Sequence, residues 1–493
     1  MAPSNTDGAS APNYKPGTVS IHGDDWLNNK NTDVAPALHV STTFRYPSAP
    51  EDLVPAIDGE LEPENTDFPP IYSRLSAPNT TRLEALLSSL LQGHAITYTS
   101  GLSAFHALLV FFRPNVIAIG HDKLAGYHGC HGVIGLHTKM HGLKMVDLHD
   151  EATWDAAGLG KGDIVHVETP LNPIGEAFNI AAFAEKAHKR GAYLSVDSTF
   201  GPPGLQNPFA QGADVVMHSG TKYIGGHSDM LCGVLAVPEA RRDWFWGLWN
   251  ERVFLGSVMG SLEGWLGVRS LRTLHLRVQR QSRNTEKLVG WLHGLLSSTT
   301  EESEDAQVVK SQVAQIKHAS LQTADFDWLK KQMPNGFGPV FSIWMRDVAG
   351  AKALPSKLHL FHHATSLGGV ESLIEWRRMS DKFVDETMLR VSVGAEDWED
   401  LRDDLLAGFK ALAAEKKART YGKGAFPHLL HLETHVQQLV HTKSPSRPFP
   451  AAPLHRLELC TLAQSPGWGG GIYASVFRCH HSRGTPGRRR CRG

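Results

Sequence analysis

The amino-acid sequence predicts an α/β protein organised around a mostly parallel β-sheet. Residues 95–112 show a short apolar run, a Ser-Gly turn and a second apolar run with helical spacing. Residues 164–196 contain a strand, an amphipathic helix and a strand at the length of a βαβ unit, which joins parallel strands. Apolar runs also end just before Asp197 and a few residues before Lys222. Functional groups in such sheets gather at the carboxyl ends of strands, so we expect these two side chains in one crevice.

Length and composition indicate a metabolic protein of two or three domains. The 493 residues carry 49 Lys+Arg against 50 Asp+Glu, so the chain has no net positive charge that would attract nucleic acid or an anionic membrane. No apolar run approaches the ~18 residues of a spanning helix, and the first residues lack the apolar core of a signal peptide. Five cysteines do not resemble a disulfide framework. We therefore expect a cytoplasmic protein with neither a nucleic-acid nor a membrane partner.

The first 70 residues read as an N-terminal arm, rich in Pro, Asn, Asp and Ser, with one strand-like patch at 39–44. Leucines at helical spacing then predict a helix that ends at Gly93. Tyr72 and Arg74 precede this helix, and both residue types commonly contact anions.

The turn between the first strand and its helix is a candidate phosphate site. The backbone N–H groups of Gly101 and Leu102 open the helix, where the first amides have no internal partner. Many strand-to-helix turns contain glycine, so the turn alone does not distinguish a phosphate site from an ordinary connection.

Residues 121–149 contain six histidines whose spacing matches no zinc motif, so we predict no metal site. Tyr127 lies in this stretch, and the glycine at 129 would let the backbone approach a planar ligand. Further along, Asn172 follows a predicted strand and falls at the same sheet edge as Asp197. Its alternative role is an Asx turn before Pro173.

Asp197 and Lys222 together suit one cofactor. Pyridoxal phosphate needs a lysine amine that holds it covalently and an acid on its ring nitrogen. The alternative is an exposed lysine and a strand-end aspartate without function, because ionisable residues are mostly exposed.

The remainder of the chain mixes helices and short strands and predicts a second domain. Alternating Arg and Leu over 268–281 suggest a long helix between the domains, and an amphipathic helix spans 396–414. Residues 415–493 show no sustained period and predict a disordered tail. A basic nucleic-acid or targeting tail and an error in the reading frame are the alternatives.

Several ordered motifs closely resemble the Cys/Met-metabolism family of pyridoxal-phosphate enzymes: IYSRLSAPNT, TSGLSA, YHGC, ETPLNP, VDSTFGPP, HSGTKYIGGHSD, SLGGVESL and LRVSVGAED. The resemblance covers about residues 18–414. It implies the aspartate-aminotransferase-like fold (PLP-dependent transferase fold type I), with a mostly parallel seven-stranded sheet and a smaller C-terminal α/β domain. The implied boundaries are 71–272 for the large domain and 273–414 for the small one.

The resemblance also implies roles for individual residues. Lys222 would hold the cofactor and move protons, Asp197 would meet the ring nitrogen, and Tyr127 would stack on the ring and act in proton transfer. The other cofactor-binding residues would be Gly101, Leu102, Thr199, Ser219 and Thr221, together with Tyr72 and Arg74 from a neighbouring subunit. The amino-acid substrate would be held by Asn172, Thr365, Ser366 and Arg390. A homodimer or homotetramer with shared active sites follows from the roles of Tyr72 and Arg74.

Two departures from the family pattern concern the substrate. Thr365 stands where many cystathionine γ-synthases and γ-lyases have Glu, and no Arg follows the YHGC motif, since His131 and Gly132 come next. The nearest named activity is γ-replacement on an activated homoserine, as in cystathionine γ-synthase. A carbon-sulfur lyase is the alternative, and a non-catalytic homologue is a third.

Overall fold

The computed structural model describes residues 14–28, 33–53, 70–298 and 303–424. Within these residues a seven-stranded sheet has the order β1-β7-β6-β5-β4-β2-β3. The strands are β1 His94–Tyr98, β2 Val116–Ile119, β3 Lys144–Asp147, β4 Ile164–Glu168, β5 Tyr193–Asp197, β6 Val215–Ser219 and β7 Gly233–Val237. Strands β3, β2, β4, β5 and β6 are parallel, and β7 is antiparallel to both β6 and β1. The prediction of a mostly parallel sheet is confirmed.

Both faces of this sheet are buried, which explains the continuous apolar runs of its strands. Val216 belongs to one core cluster, whereas its neighbours Val215 and Met217 belong to another. Successive side chains of a strand point to opposite faces, so the two clusters lie on the two sides of the sheet. The helices of this part of the chain are α1 Pro16–His22, α2 Pro78–Leu91, α3 Gly101–Phe112, α4 His128–His141, α5 Glu151–Ala157, α6 Ile180–Lys189, α7 Arg242–Leu255 and α8 Ser261–Leu271.

A second sheet of five strands has the order β10-β11-β12-β9-β8. Its strands are β8 Val313–Lys317, β9 Val340–Met345, β10 His362–His363, β11 Leu373–Trp376 and β12 Met388–Ser392. They are accompanied by α9 Leu274–Ser297, α10 Glu304–Gln312, α11 Phe326–Gln332, α12 Val348–Ala353 and α13 Trp398–Gly424. The domain boundaries given above stay predictions.

Several elements differ from the expectations. Residues 39–44 form no strand but one antiparallel bridge, between Thr43 and Tyr72. The expected helix over 268–281 is two helices, α8 and α9, and α13 continues to Gly424, beyond the expected end at 414. Residues 425–493 of the predicted tail lie outside the described residues. No helix in the described part of the chain has both the length and the hydropathy of a membrane span.

A buried aspartate ties the beginning of the chain to the helices beneath it. Asp24 follows α1 and is fully buried. Its carboxylate pairs with Arg82 of α2 at 2.7 Å and with Arg272, just after α8, at 2.8 Å. Two guanidinium groups compensate the cost of burying the charge. This part of the predicted arm is therefore packed against the body of the protein.

Candidate active site

Three neighbouring parallel strands end in polar side chains at one edge of the large sheet. Glu168 closes β4, Asp197 closes β5 and Ser219 closes β6. Glu168 and Asp197 are direct register partners. This is the edge where ligands bind in open α/β sheets.

Asp197 is buried and held by the residue two positions later. Its Oδ1 accepts hydrogen bonds from the backbone N of Thr199 at 2.9 Å and from Thr199 Oγ1 at 2.5 Å. The Thr199 hydroxyl in turn accepts a 2.8 Å bond from the N of Ser219. Burial raises the pKa of Asp197, although the Thr199 bonds oppose the shift. A carboxylate desolvated in this way is compensated by a cationic partner, such as a protonated ring nitrogen.

Lys222 lies on the turn after β6 and points across to the second sheet's loops. Its Nζ donates a 2.6 Å hydrogen bond to Ser366 Oγ. Burial lowers the pKa of Lys222 from 10.5 to about 8, the nearby charge of Arg390 adds to the shift, and Glu375 opposes it. An amine with this pKa is partly neutral near pH 8 and can act as a nucleophile or base.

Ser366 occupies a strained backbone position between the lysine and the arginine of the site. Its φ is 78°, in the left-handed region that favours glycine. Its hydroxyl accepts the bond from Lys222, and its carbonyl accepts a 2.8 Å bond from Arg390 Nη2. Strain of this kind costs on the order of 1–3 kcal/mol and collects at functional sites. Thr365, the preceding residue, is exposed at the rim.

Arg390 of β12 is 5% exposed, and both of its terminal nitrogens donate hydrogen bonds. Nη1 donates to Asn172 Oδ1 at 2.8 Å, and Nη2 donates to Glu375 Oε2 at 2.6 Å as well as to the Ser366 carbonyl. Burial lowers the pKa of Arg390 to about 10, and the charge of Arg377 adds to this effect. The structure thus brings together three of the residues predicted to hold the substrate: Asn172, Ser366 and Arg390.

The predicted phosphate turn is also present. Helix α3 begins at Gly101, and Ser100 Oγ accepts a 3.2 Å bond from the N of Ser103. The amides of Gly101 and Leu102 precede the first intrahelical donors and are available to an anion. A Cβ on Gly101 would lie 3.2 Å from Ser219 Cβ, so the turn packs closely against the end of β6.

Thr221 differs from the other residues expected at the phosphate. Its hydroxyl donates to the Cys232 carbonyl at 3.3 Å and accepts from the Cys232 amide at 3.0 Å. A hydroxyl has one donor and commonly one or two acceptor positions in use, so this one is largely committed to the chain before β7. Its phosphate contact stays a prediction.

Tyr127 stands at the amino end of α4, at the same sheet edge. Its backbone N donates a 2.7 Å bond to Glu168 Oε2, and its side chain is 39% exposed. Partial burial raises the pKa of the phenol. A Cβ on Gly129 would lie 2.6 Å from the Tyr127 ring, so glycine is required there for the ring to take this position.

Three acidic or basic residues of the site were not predicted. Glu168 Oε1 accepts a 2.9 Å bond from the N of Asn172, and burial together with the charge of Asp197 raises the pKa of Glu168. Its place at the end of a predicted strand was a signal of the same kind as that of Asp197. Glu375 and Arg377, in contrast, carry no motif signal and are recognised only by their contacts with Arg390.

Tyr72 and Arg74 lie apart from this cluster, on exposed surface. The Arg74 guanidinium lies over the Tyr72 ring, 5.0 Å from its centroid. Among the contacts of the described residues, none joins either side chain to Lys222 or Asp197. Their predicted role needs a second subunit.

The assembled residues fit pyridoxal phosphate: a lysine of lowered pKa, a buried acid and a helix amino terminus lie at one sheet edge. Residues 17–410 match the family model described as Cys/Met metabolism PLP-dependent enzyme. The chain belongs to this family. It is therefore a PLP-dependent enzyme of cysteine and methionine metabolism, and its fold is the fold type I expected above.

Similar proteins of this family have related activities. The cystathionine γ-synthase of Escherichia coli (strain K12) is 31% identical over 404 residues, covering 77% of this chain and 93% of the relative. The cystathionine γ-lyase of Bacillus subtilis (strain 168) is 29% identical over 406 residues, covering 79% and 97%. A crystal structure of an apo methionine γ-lyase from Micromonospora echinospora superposes with a TM-score of 0.66 at 31% identity, covering 80% of this chain and 99% of that one.

Proposed function

We propose that this PLP-dependent enzyme catalyses γ-replacement on an activated homoserine, as a cystathionine γ-synthase does. The observation that carries the proposal is the short path Lys222–Ser366–Arg390, with bonds of 2.6 and 2.8 Å. The amine of Lys222 thus lies near the group that would bind the substrate's α-carboxylate. The Cα proton of a bound amino acid would lie in the same place, within reach of this base. The similarity to cystathionine γ-synthases supports the choice of reaction.

Each residue has a defined task in this proposal. Lys222 carries the cofactor, and Asp197 keeps its ring nitrogen protonated while Thr199 orients the carboxylate. The amides of Gly101 and Leu102, with Ser219 and Thr221, hold the phosphate. Arg390, Asn172 and Ser366 bind the substrate's α-carboxylate, and Thr365 borders the entrance for its side chain.

The reaction requires proton transfers at two carbons of the substrate. When bound, pyridoxal phosphate supplies an electron sink that stabilises negative charge at the substrate's Cα. The amine of Lys222, free once the substrate's amino group has taken its place on the cofactor, would remove the Cα proton; after a second proton leaves the β-carbon, the γ-acyloxy group would depart as a carboxylate. Addition of a thiol at Cγ and return of the protons complete the replacement. The Tyr127 hydroxyl is the second group able to carry a proton there.

We further propose a cytoplasmic homodimer or homotetramer. Tyr72 and Arg74 are exposed and paired with each other, which suits residues that reach a neighbouring subunit's phosphate. A separated subunit would then have an incomplete site.

Product analysis tests the reaction. The enzyme is incubated with O-succinyl- or O-acetylhomoserine, with and without cysteine, and the products are identified by mass spectrometry. A thioether formed only with cysteine supports γ-replacement. The Lys222→Ala variant is the control, because loss of the amine removes both cofactor attachment and the base.

A carbon-sulfur lyase is the second candidate. It is favoured by the similarity to a cystathionine γ-lyase, whereas Thr365 departs from the Glu of many synthases and γ-lyases alike. Oxo acid formed from cystathionine alone, with no thioether from either ester, would replace the first proposal by this one. If the wild-type protein binds cofactor and yields neither product, both candidate reactions are contradicted.

A further inference from the structure

A second buried arginine lies beside the arginine expected to bind the substrate. Arg377 follows β11 and is 3% exposed. Its Nη1 donates to Glu375 Oε2 at 2.9 Å, and Arg390 Nη2 contacts the same oxygen at 2.6 Å. Two guanidinium groups therefore share one carboxylate oxygen at the wall of the site.

Arg377 is close enough to the polar residues of the sheet edge for its charge to act on them. Its positive charge acts on the phenol of Tyr127 and on the carboxyl of Glu168, lowering the pKa of each against the effect of burial. It also lowers the pKa of Arg390. Groups at the sheet edge and on β12 thus all lie within range of this one side chain.

One edge of the Arg377 guanidinium makes no hydrogen bond within the described part of the chain. Nε is buried and has no hydrogen-bond partner among the described residues. Nη2, which shares that edge with Nε, has Asp381 at 3.9 Å, beyond hydrogen-bond distance. An arginine edge of two parallel N–H groups is the geometry that binds a carboxylate through two hydrogen bonds.

Arg390 has fewer free N–H donors for a ligand than Arg377 has. Its Nη2 already donates to both Glu375 and the Ser366 carbonyl, so both protons of that nitrogen are in use. While Nη2 is held in this way, Arg390 can bind the substrate's α-carboxylate through single N–H groups, such as the second proton of Nη1, but not through a two-nitrogen edge. The open edge of Arg377 is thus an additional place for a carboxylate.

We propose that Arg377 is a second carboxylate-binding residue of the substrate pocket. The substrate class is accordingly an amino acid whose side chain carries an anionic group, such as a homoserine ester of a dicarboxylic acid. This inference rests on the proposed function for the identity of the pocket. Asp381 and Glu375 are the acidic groups facing Arg377, and the ligand's carboxylate would join Glu375 as its hydrogen-bonded partner.

Binding of two unreactive amino acids tests the proposal without turnover. L-2-aminoadipate and L-norleucine have side chains of similar length that differ in the terminal carboxylate. Each is titrated into the full-length holoenzyme, and binding is followed by the visible absorbance of the cofactor. The wild type should bind aminoadipate more tightly, and Arg377→Gln should weaken aminoadipate about tenfold or more while norleucine changes less than about twofold.

Two further variants make the result specific. Arg378→Gln is the matched control, because Arg378 is the adjacent arginine and pairs at the surface with Glu386; it should change neither constant. If Arg377→Gln does not retain cofactor, Arg377→Lys keeps the charge without the two-pronged edge and should show a smaller loss confined to aminoadipate.

Equal weakening of both ligands in the Arg377 variants would assign Arg377 a purely structural role and overturn the proposal. A wild type that does not prefer aminoadipate would also overturn it. Failure of the γ-replacement assay would leave these titrations unaffected, so the two proposals fail separately.

Discussion

Lys222 Nζ lies 2.6 Å from Ser366 Oγ, and this bond joins the end of the large sheet to the loop before β11. Ser366 has a φ of 78°, which a residue with a Cβ adopts only at a cost. The conformation directs the hydroxyl to the lysine and the carbonyl to Arg390. The backbone strain is therefore linked to the spacing between the proposed base and the proposed carboxylate-binding group.

Replacing Ser366 by alanine and by glycine separates the hydroxyl from the strain. Both variants lose the bond to Lys222, and we expect kcat/KM to fall about tenfold in each, as for a hydrogen bond to a charged group. Glycine relieves the left-handed conformation, so its free energy of unfolding should exceed that of the alanine variant by about 1 kcal/mol. Steady-state kinetics and urea unfolding measure the two effects. A glycine variant with wild-type activity would show that the hydroxyl has no role.

The raised pKa of Glu168 predicts a pH-dependent stability. Burial and the charge of Asp197 raise the pKa above its ordinary 4.5, so the folded state binds this proton more tightly than the unfolded state. The resulting stabilisation is complete below the unfolded pKa and is lost as the pH rises through the raised folded pKa. In the cofactor-free protein, the free energy of unfolding relative to Glu168→Gln should therefore fall between about pH 5 and 8.

Urea unfolding of both proteins at several pH values gives this difference directly. Glu168 and Asp197 interact, so the difference between the two proteins reports the titration of the pair. A difference that is constant over the range would contradict the raised pKa of Glu168.

The sequence pattern predicts which residues lie at the edge of the large sheet, but it does not predict that Glu375 and Arg390 meet. Asp197 and Ser219 end apolar runs of strands buried on both faces, so their places follow from local pattern and from the parallel topology. Glu375 and Arg390 meet through the antiparallel register of β11 and β12, which depends on how two separate strands align. Nothing in the local sequence determines that alignment.

The remaining differences have local causes. Residues 39–44 have an apolar and β-branched pattern but make only one bridge, because a strand needs a paired neighbour along its length. A single helix was predicted over 268–281, but α8 ends at Leu271 and α9 begins at Leu274. The alternation of Arg and Leu does not reveal the break at Arg272 and Thr273.

The shared carboxylate of Glu375 should be important for stability. Burial acts to raise its pKa, but the guanidinium groups of Arg390 and Arg377 outweigh burial and hold the pKa below its usual range. Glu375→Gln would leave two buried guanidinium groups without their common counter-charge. We expect a loss of about 3–5 kcal/mol in the free energy of unfolding, as for other buried pairs that lose one partner.

Glu185→Gln is the control for this change, because Glu185 forms an exposed pair with Lys189 on α6. Its urea midpoint should be unchanged, since exposed pairs contribute little. If the two variants lose equal stability, the buried pair does not contribute as inferred.

The proposed shared site predicts complementation between two inactive proteins. Arg74→Ala should lose cofactor affinity at the neighbouring subunit's site, and Lys222→Ala should lose its own site. In a mixed dimer, one site would combine the intact Lys222 of one chain with the intact Arg74 of the other. Random reassociation of equal amounts should then restore about a quarter of wild-type activity, since half of the dimers are mixed and each has one intact site of two.

The two variants are unfolded, mixed and refolded with cofactor, and activity is compared with each variant treated alone. Recovery only in the mixture supports a site built from two subunits. Strict absence of recovery, with dimers present by sedimentation, would place Arg74 outside the active site. The exposed position of Arg74 against the Tyr72 ring is the structural reason to expect recovery, because neither side chain contacts the cluster around Lys222 within the described part of its own chain.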